Sequence, residues 1–249
     1  MRFAAIADIH GNAAALEAVL ADIDAQGITE IVNLGDCFSG PLEAGRTAEI
    51  LMARAIPTVR GNHDRALIDR PSDAMGDWEL PAYHQLQEAH FEWIESLPFS
   101  MVWRDEVYLC HATPQDDNVY WTEALTADGF FRLKTREEIE AIAIDIPQPL
   151  ILCGHSHIAR SVLLSGGRLI VNPGSVGCPG YDYDQPWYHK AEAGTPFASY
   201  AVLEKTGFGW QPSFRQVRYD NEAMARLSEP SGLSDWTSAL RTGWVRRAN

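Results

Sequence analysis

The sequence predicts an α/β fold with two sheets, and three observations carry that expectation. Over residues 3–60 short apolar runs alternate with helix-spaced segments, the order of a parallel sheet covered by helices. After residue 97 the alternation gives way to closely spaced strand pairs, which belong to a second sheet with antiparallel members. No linker, internal repeat or low-complexity block interrupts residues 1–249, so they are expected to form one domain.

Each element follows from local pattern. Residues 3–7 are an apolar run of strand length. Residues 13–23 place Leu16, Val19, Leu20 and Ile23 at helical spacing, with Asn12 as N-cap and Gly27 as the stop. Residues 31–34 read as a second strand, 42–55 as a second helix and 57–60 as a third strand. The aromatic-rich stretch 78–97 reads as helix. Residues 100–103 and 107–110 pair as strands, 139–146 form a helix, and 150–153 are a further buried strand. Residues 161–164 and 168–171 flank Ser165-Gly166-Gly167 as a hairpin, and 198–203 and 214–219 are C-terminal strands. The aromatic and acidic stretch 181–188 reads as an ordered surface loop, with a place at a site rim or in a homo-oligomer contact left open.

Composition narrows the function. Hydrophobic residues make up 46% of the chain and charged residues 22%, which is enough for a full core. Twenty cations against 34 acids give a formal net charge of −14, and only Lys134, Lys190 and Lys205 are lysines. Such a chain repels polyanions, which argues against general nucleic-acid binding and anionic membrane surfaces. No apolar run approaches the roughly 20 residues of a membrane span. A phosphate-bearing substrate would need a local source of positive charge. Cys37, Cys110, Cys153 and Cys178 lie far apart without a C-x-x-C pair, so buried thiols are expected rather than a disulfide framework or thiolate zinc site. The apolar N-terminus meets an acid already at Asp8, too soon for a secretory signal, and a reducing cytoplasm is the expected location.

The chemistry follows the apolar runs. Residues 4–7 lead into Asp8 and His10, 31–34 into Gly35-Asp36, and Thr58-Val59 into Gly61-Asn62-His63-Asp64. Residues 107–110 lead into His111, and 150–153 into Gly154-His155-Ser156-His157. Ligands of open α/β sheets bind outside the carboxyl ends of the strands, so five strand ends deliver carboxylates, an amide and imidazoles to one region. Residues i and i+2 of an extended segment share a face, so Asp8 with His10, and His155 with His157, can converge on an ion. Cys110 alternates with His111 and points away. His84, His90 and His189 fall outside these segments and are read as structural or exposed.

This ordered set of Asp8-x-His10, Gly35-Asp36, Gly61-Asn62-His63-Asp64, His111 and Gly154-His155-x-His157 resembles the calcineurin-like metallophosphoesterase superfamily. Asn172-Pro173-Gly174-Ser175 and residues 198–203 resemble its compact bacterial and archaeal phosphodiesterase branch. The resemblance implies a four-layer α/β/β/α sandwich of two mixed sheets with a dinuclear metal centre. It assigns Asp8, His10, Asp36 and His157 to one ion and Asp36, Asn62, His111 and His155 to the other, with Asp36 bridging. Carboxylate, amide and imidazole donors suit manganese, iron, zinc, cobalt or nickel without choosing among them. Two divalent ions against Asp8 and Asp36 leave the pocket at about +2, the local positive charge the chain otherwise lacks.

The expected activity is therefore hydrolysis of a small phosphate ester, with a phosphodiester favoured. A metal-bridging hydroxide attacks in line and His63 acts as general acid toward the leaving oxygen. The plainer role open to His63 is a hydrogen bond to the phosphate. Hydrolysis of a dinucleoside polyphosphate or another nucleotide is the alternative substrate reading. A non-catalytic scaffold, like the retromer subunit of the same superfamily, is a third reading, and the complete ligand set with His63 argues against it. Two departures matter. The segment Gly35-Asp36-Cys37-Phe38-Ser39-Gly40 lacks the acid that orients the histidine in the protein-phosphatase branch, and Asp64 could orient His63, cap its turn or pair with Arg65. Pro179 is followed by Gly180 where the compact branch often places an arginine, leaving Arg60 and Arg65 as substitutes or as solvated surface residues.

Overall fold

β1 (Arg2–Ile6) is buried on both faces, and its alternation sets the layering of the molecule. The computed structural model describes residues 1–246. In chain order β1 is followed by α1 (Ala13–Ala25), β2 (Ile31–Asn33), α2 (Ala44–Arg54), α3 (Asn62–Asp69), α4 (Leu80–Tyr83) and α5 (Glu88–Ser96). Next come β3 (Ser100–Trp103), β4 (Val107–Cys110), β5 (Glu123–Leu125), β6 (Phe131–Leu133), α6 (Arg136–Ile142) and β7 (Leu150–Leu152). β8 (Arg160–Leu163), β9 (Leu169–Asn172), β10 (Gly180–Tyr183), β11 (His189–Glu192), β12 (Ala198–Thr206) and β13 (Gly209–Val217) lead to α7 (Asn221–Ser228) and α8 (Ser234–Thr242).

The first sheet has the order β13-β12-β1-β2, with β1 parallel to β2 and antiparallel to β12. The second has the order β3-β4-β7-β9-β8, parallel at its centre and antiparallel at both edges. Ala4 and Ile6 face Leu16, Val19, Leu20 and Ile23 of α1, with Leu51 of α2 and Ile94 of α5 completing that core. Phe3, Ala5 and Ala7 face the other way, onto Val107, Leu109, Leu150, Leu152 and Val171 of the second sheet. Cys110, Ile151 and Ile170 close the far face against Ile139 of α6 and Trp121. The order helix, sheet, sheet, helix is the four-layer α/β/β/α sandwich, with both sheets mixed.

Asn12 caps α1 through a hydrogen bond accepted from the Ala15 N–H, and Gly27 ends that helix region at φ 67°. The expected third strand at 57–60 is reduced to one parallel bridge, Asn33 to Thr58, because the chain turns into α3 at Asn62. The expected helix at 78–97 breaks into α4 and α5, with the His90 ring accepting from the Gln87 N–H where α5 begins. His90 is structural, as expected. The expected helix at 139–146 begins earlier, at Arg136, where Thr135 caps it. Four features were not anticipated: α3, the β5–β6 hairpin, the β10–β11 hairpin whose strands begin just before and just after the 181–188 stretch read as a loop, and α7 with α8.

Candidate metal centre

The loops after β1, β2, β4 and β7, together with the first turn of α3, meet at one end of the sandwich. Ligand atoms of Asp8, His10 and His157 all lie within 4.8 Å of one another, and so do those of Asp36, His111 and His155. Asp36 Oδ2 lies 3.2 Å from His111 Nε2 and 3.9 Å from His10 Nε2, which places its carboxylate between the two groups. Asn62 Oδ1 lies 3.0 Å from His111 Nε2. All seven residues proposed as ligands from sequence are brought together, and His63 stands beside them.

The reason they converge differs from the expected extended geometry. Asp8, His10, Asp36, His155 and His157 have φ of 55°, 49°, 54°, 69° and 58°, all in the left-handed region that side-chain-bearing residues enter reluctantly. Each strand end therefore curls over instead of running straight on. Surrounding hydrogen bonds hold the curls. Asn172 Nδ2 donates to the Gly154 carbonyl at 2.7 Å and to Ser156 Oγ at 3.1 Å. Ser175 Oγ donates to the Asp8 carbonyl at 2.7 Å. The Asn172-Pro173-Gly174-Ser175 segment thus ties the Asp8 loop to the His155 loop. Gly61 is needed for close approach, since a Cβ there would stand 2.1 Å from Asp36 Oδ1 and 2.4 Å from the Asp36 nitrogen. Gly61→Ala is expected to displace the Asp36 carboxylate and to destabilise the fold by about 2 kcal/mol or more. At about 2–4 °C per kcal/mol, that is a fall in Tm a thermal melt resolves, and an unchanged Tm with unchanged metal content would contradict the contact.

The rings are aimed from behind. His111 Nδ1 donates to the Leu34 carbonyl and His157 Nδ1 to the Cys178 carbonyl, each at 2.8 Å, so Nε2 of each faces the centre. His10 Nδ1 contacts Ser39 Oγ at 2.7 Å, and its Nε2 lies 3.1 Å from His157 Nε2. Burial holds His155 and His157 down to about 3 and His10 well below its usual range, so these imidazoles are neutral with lone pairs available. Burial pushes Asp8 up to about 8. Burial also opposes ionisation of Asp36, but His111 and His63 outweigh it and keep that carboxyl well below the usual range. His111 reaches about 10 because Asp36 and Asp8 overcome the cost of burying its charge. Buried acceptors converging in this way call for a cation, and mixed nitrogen and oxygen donors fit a divalent transition ion. The four cysteines are free and buried outside both groups, with Cys110 packed in the outer core as expected.

Residues 1–192 match the calcineurin-like phosphoesterase superfamily domain. The chain belongs to that superfamily. An uncharacterised protein of Methanocaldococcus jannaschii is 26% identical, with 94% of each chain covered. The structure is similar to that of a metallophosphoesterase from Sphaerobacter thermophilus, at 27% identity, 98% and 100% coverage of the two chains and a TM-score of 0.74. A hypothetical protein of Pyrococcus horikoshii shares the fold at 17% identity, 99% coverage of both chains and a TM-score of 0.75. Members of the superfamily bind divalent metals, and this one carries two buried aspartate–histidine groups able to hold them.

In this calcineurin-like phosphoesterase Asp64 does not orient His63. Its carboxylate accepts from the Cys37 N–H at 2.8 Å and the Gly61 N–H at 3.1 Å, capping α3. Glu79 Oε1 meets His63 Nδ1 instead, at 2.7 Å. Burial alone would lower the His63 pKa, but Asp36 and Glu79 raise it above the ordinary imidazole value. Arg65 makes a two-pronged pair with Asp117 and does not pair closely with Asp64, while the Arg60 N–H donates to the Pro98 carbonyl. Around the centre, Trp78 stacks on His63 with ring centroids 5.0 Å apart, and Tyr120 stacks on His155 at 4.8 Å. Tyr181 meets His157 edge-on at 4.8 Å and donates its hydroxyl to Tyr120. Of the 181–188 stretch it is the buried Tyr181 that packs against a candidate ligand. Trp236 of α8 meets His10 at 6.0 Å and Trp78 at 4.8 Å. Glu79, Trp78 and Trp236 were missed in the sequence because irregular turns and a distant helix bring them in, and no spacing encodes that.

Proposed function

We propose that residues 1–249 act as one catalytic domain that hydrolyses small phosphodiesters with two divalent transition-metal ions. Asp8, His10, Asp36 and His157 would hold one ion, and Asp36, Asn62, His111 and His155 the other. The observation that supports this reading most is that Asp36 belongs to one donor group and lies 3.9 Å from His10 of the other, while His63 belongs to neither. When bound, the ions supply an activated water and neutralise the phosphoryl oxygens. The protein's own residues do the rest. Asp36 Oδ1 accepts the His63 backbone N–H at 2.9 Å and fixes that turn against the centre. With Nδ1 held by Glu79, Nε2 is the atom left to pass a proton to the leaving oxygen.

The uncharged aromatic side chains of Trp78, Tyr120 and Tyr181, packed against the histidines of the centre, suit a diester with a single charge better than a dianionic monoester. The same rings favour a nucleotide ester as the second reading, so a substrate panel should include a dinucleoside polyphosphate. Four free buried thiols fit a reducing cytoplasm, and no described helix is long and apolar enough to cross a membrane. Chelation is expected to abolish turnover, and manganese or another transition divalent ion to restore it, with metal content near two per chain. Full turnover of bis(4-nitrophenyl) phosphate by rigorously metal-free protein would overturn the reading.

A further inference from the structure

We propose that Glu79 is the positioning residue for His63, replacing the acid that the Gly35-Asp36 segment lacks. This rests on His63 being the proton donor argued above. Glu79 is a carboxylate with only 5% of its surface exposed, and a buried carboxylate needs partners. Its two oxygens are used differently. Oε1 meets His63 Nδ1 at 2.7 Å, while Oε2 accepts the Gly76 N–H at 3.2 Å and lies 4.0 Å from Arg70 Nη1. The Gly76 contact fixes the carboxylate's orientation from its own turn, so the oxygen facing His63 is presented rather than free to rotate.

The neighbouring residue holds the same ring by its face. Trp78 stacks on the His63 imidazole with an interplanar angle of 16°, and its carbonyl accepts the Gly40 N–H at 2.6 Å. Two consecutive residues thus constrain one imidazole in both of its soft directions, rotation in its plane by Glu79 and tilt by Trp78. A proton retained on Nδ1 and shared with a carboxylate leaves Nε2 as the exchanging nitrogen and stabilises the imidazolium, as the third member does in nucleophile–base–acid triads. Asp64 cannot do this, because both of its oxygens face backbone N–H groups.

The rival role for Glu79 is to brace the Gly76–Glu79 turn and nothing more. A double-mutant cycle separates the two on the manganese-loaded protein, using bis(4-nitrophenyl) phosphate and its unsubstituted phenyl counterpart. Glu79→Ala is expected to lower kcat/KM by about 10–100-fold on the phenyl ester and by much less on the nitrophenyl ester, with metal content unchanged. In a His63→Ala background the same substitution should cost no more than about twofold. Glu79→Gln, nearly isosteric and able to accept a hydrogen bond from Nδ1–H through its amide oxygen, should recover part of the loss. In proton NMR of the zinc-loaded, diamagnetic protein the His63 Nδ1–H, protected by Glu79, should give a downfield signal lost in both Glu79→Ala and His63→Ala. Equal losses with and without His63, or on both esters, would overturn the proposal. If His63→Ala itself lost equally on both esters, the proton-donor reading would fall, while the cycle would still decide whether Glu79 acts through His63.

Discussion

Asp36→Asn is expected to be the most damaging single change in the centre. Asp36 is 1% exposed, and its carboxylate lies between His111 and His10, within reach of both donor groups. Asparagine has almost the same shape and is among the residues that tolerate a left-handed backbone, so the φ of 54° survives. Its amide oxygen can still accept from the His63 N–H, a contact now at 2.9 Å. What is lost is the negative charge between the two proposed cation sites, so both should be weakened at once. Metal content should fall well below two per chain. Activity should fall further than the roughly 10²–10³-fold that removal of one electrostatic stabiliser costs. Two metals per chain with normal turnover in this variant would overturn the proposed bridging role of Asp36.

The second large effect is expected at His63. His63→Ala should keep both metals, because Asn62 rather than His63 faces His111 at that turn. The loss should depend on the leaving group. A nitrophenolate departs readily as an anion, whereas an alkoxide or ribose oxygen needs a proton, and general acid catalysis typically contributes about 10²–10⁴-fold. The comparison belongs in kcat/KM, where lost ground-state binding is not mistaken for lost chemistry. Equal losses across both leaving-group classes, with metal occupancy intact, would mean that His63 only contacts the phosphoryl oxygens.

The parts of this site legible in the sequence are those that follow a strand directly. Asp8, Asp36, His111 and His155 come within a few residues of an apolar run, and a strand fixes where its own end points. The left-handed turns at Asp8, His10, Asp36, His155 and His157 were not legible. Only the glycines beside them advertise unusual backbone, and Asp and His at positive φ are enforced by contacts such as Ser175 to Asp8 and Asn172 to Gly154. Glu79 was hidden for a related reason. It precedes the four-residue helix α4 in a stretch whose aromatic content suggested continuous helix, and its partner is sixteen positions away. The third strand was misjudged because one bridge at Thr58 suffices to pass the chain into α3. Hydrophobic pattern reports which element forms; it is silent about where irregular backbone directs a polar side chain.

Trp236 reaches His10 and Trp78 from α8, which follows the 1–192 span matched to the superfamily. A Cβ on Gly40 would stand 2.7 Å from its ring, so the indole is seated against the loop that also carries the Trp78 contact. The matched span and helix α8 are therefore joined at the candidate centre itself. A substitution in α8 that shifts Trp236 would shift its two ring neighbours, one a candidate ligand and the other stacked on His63.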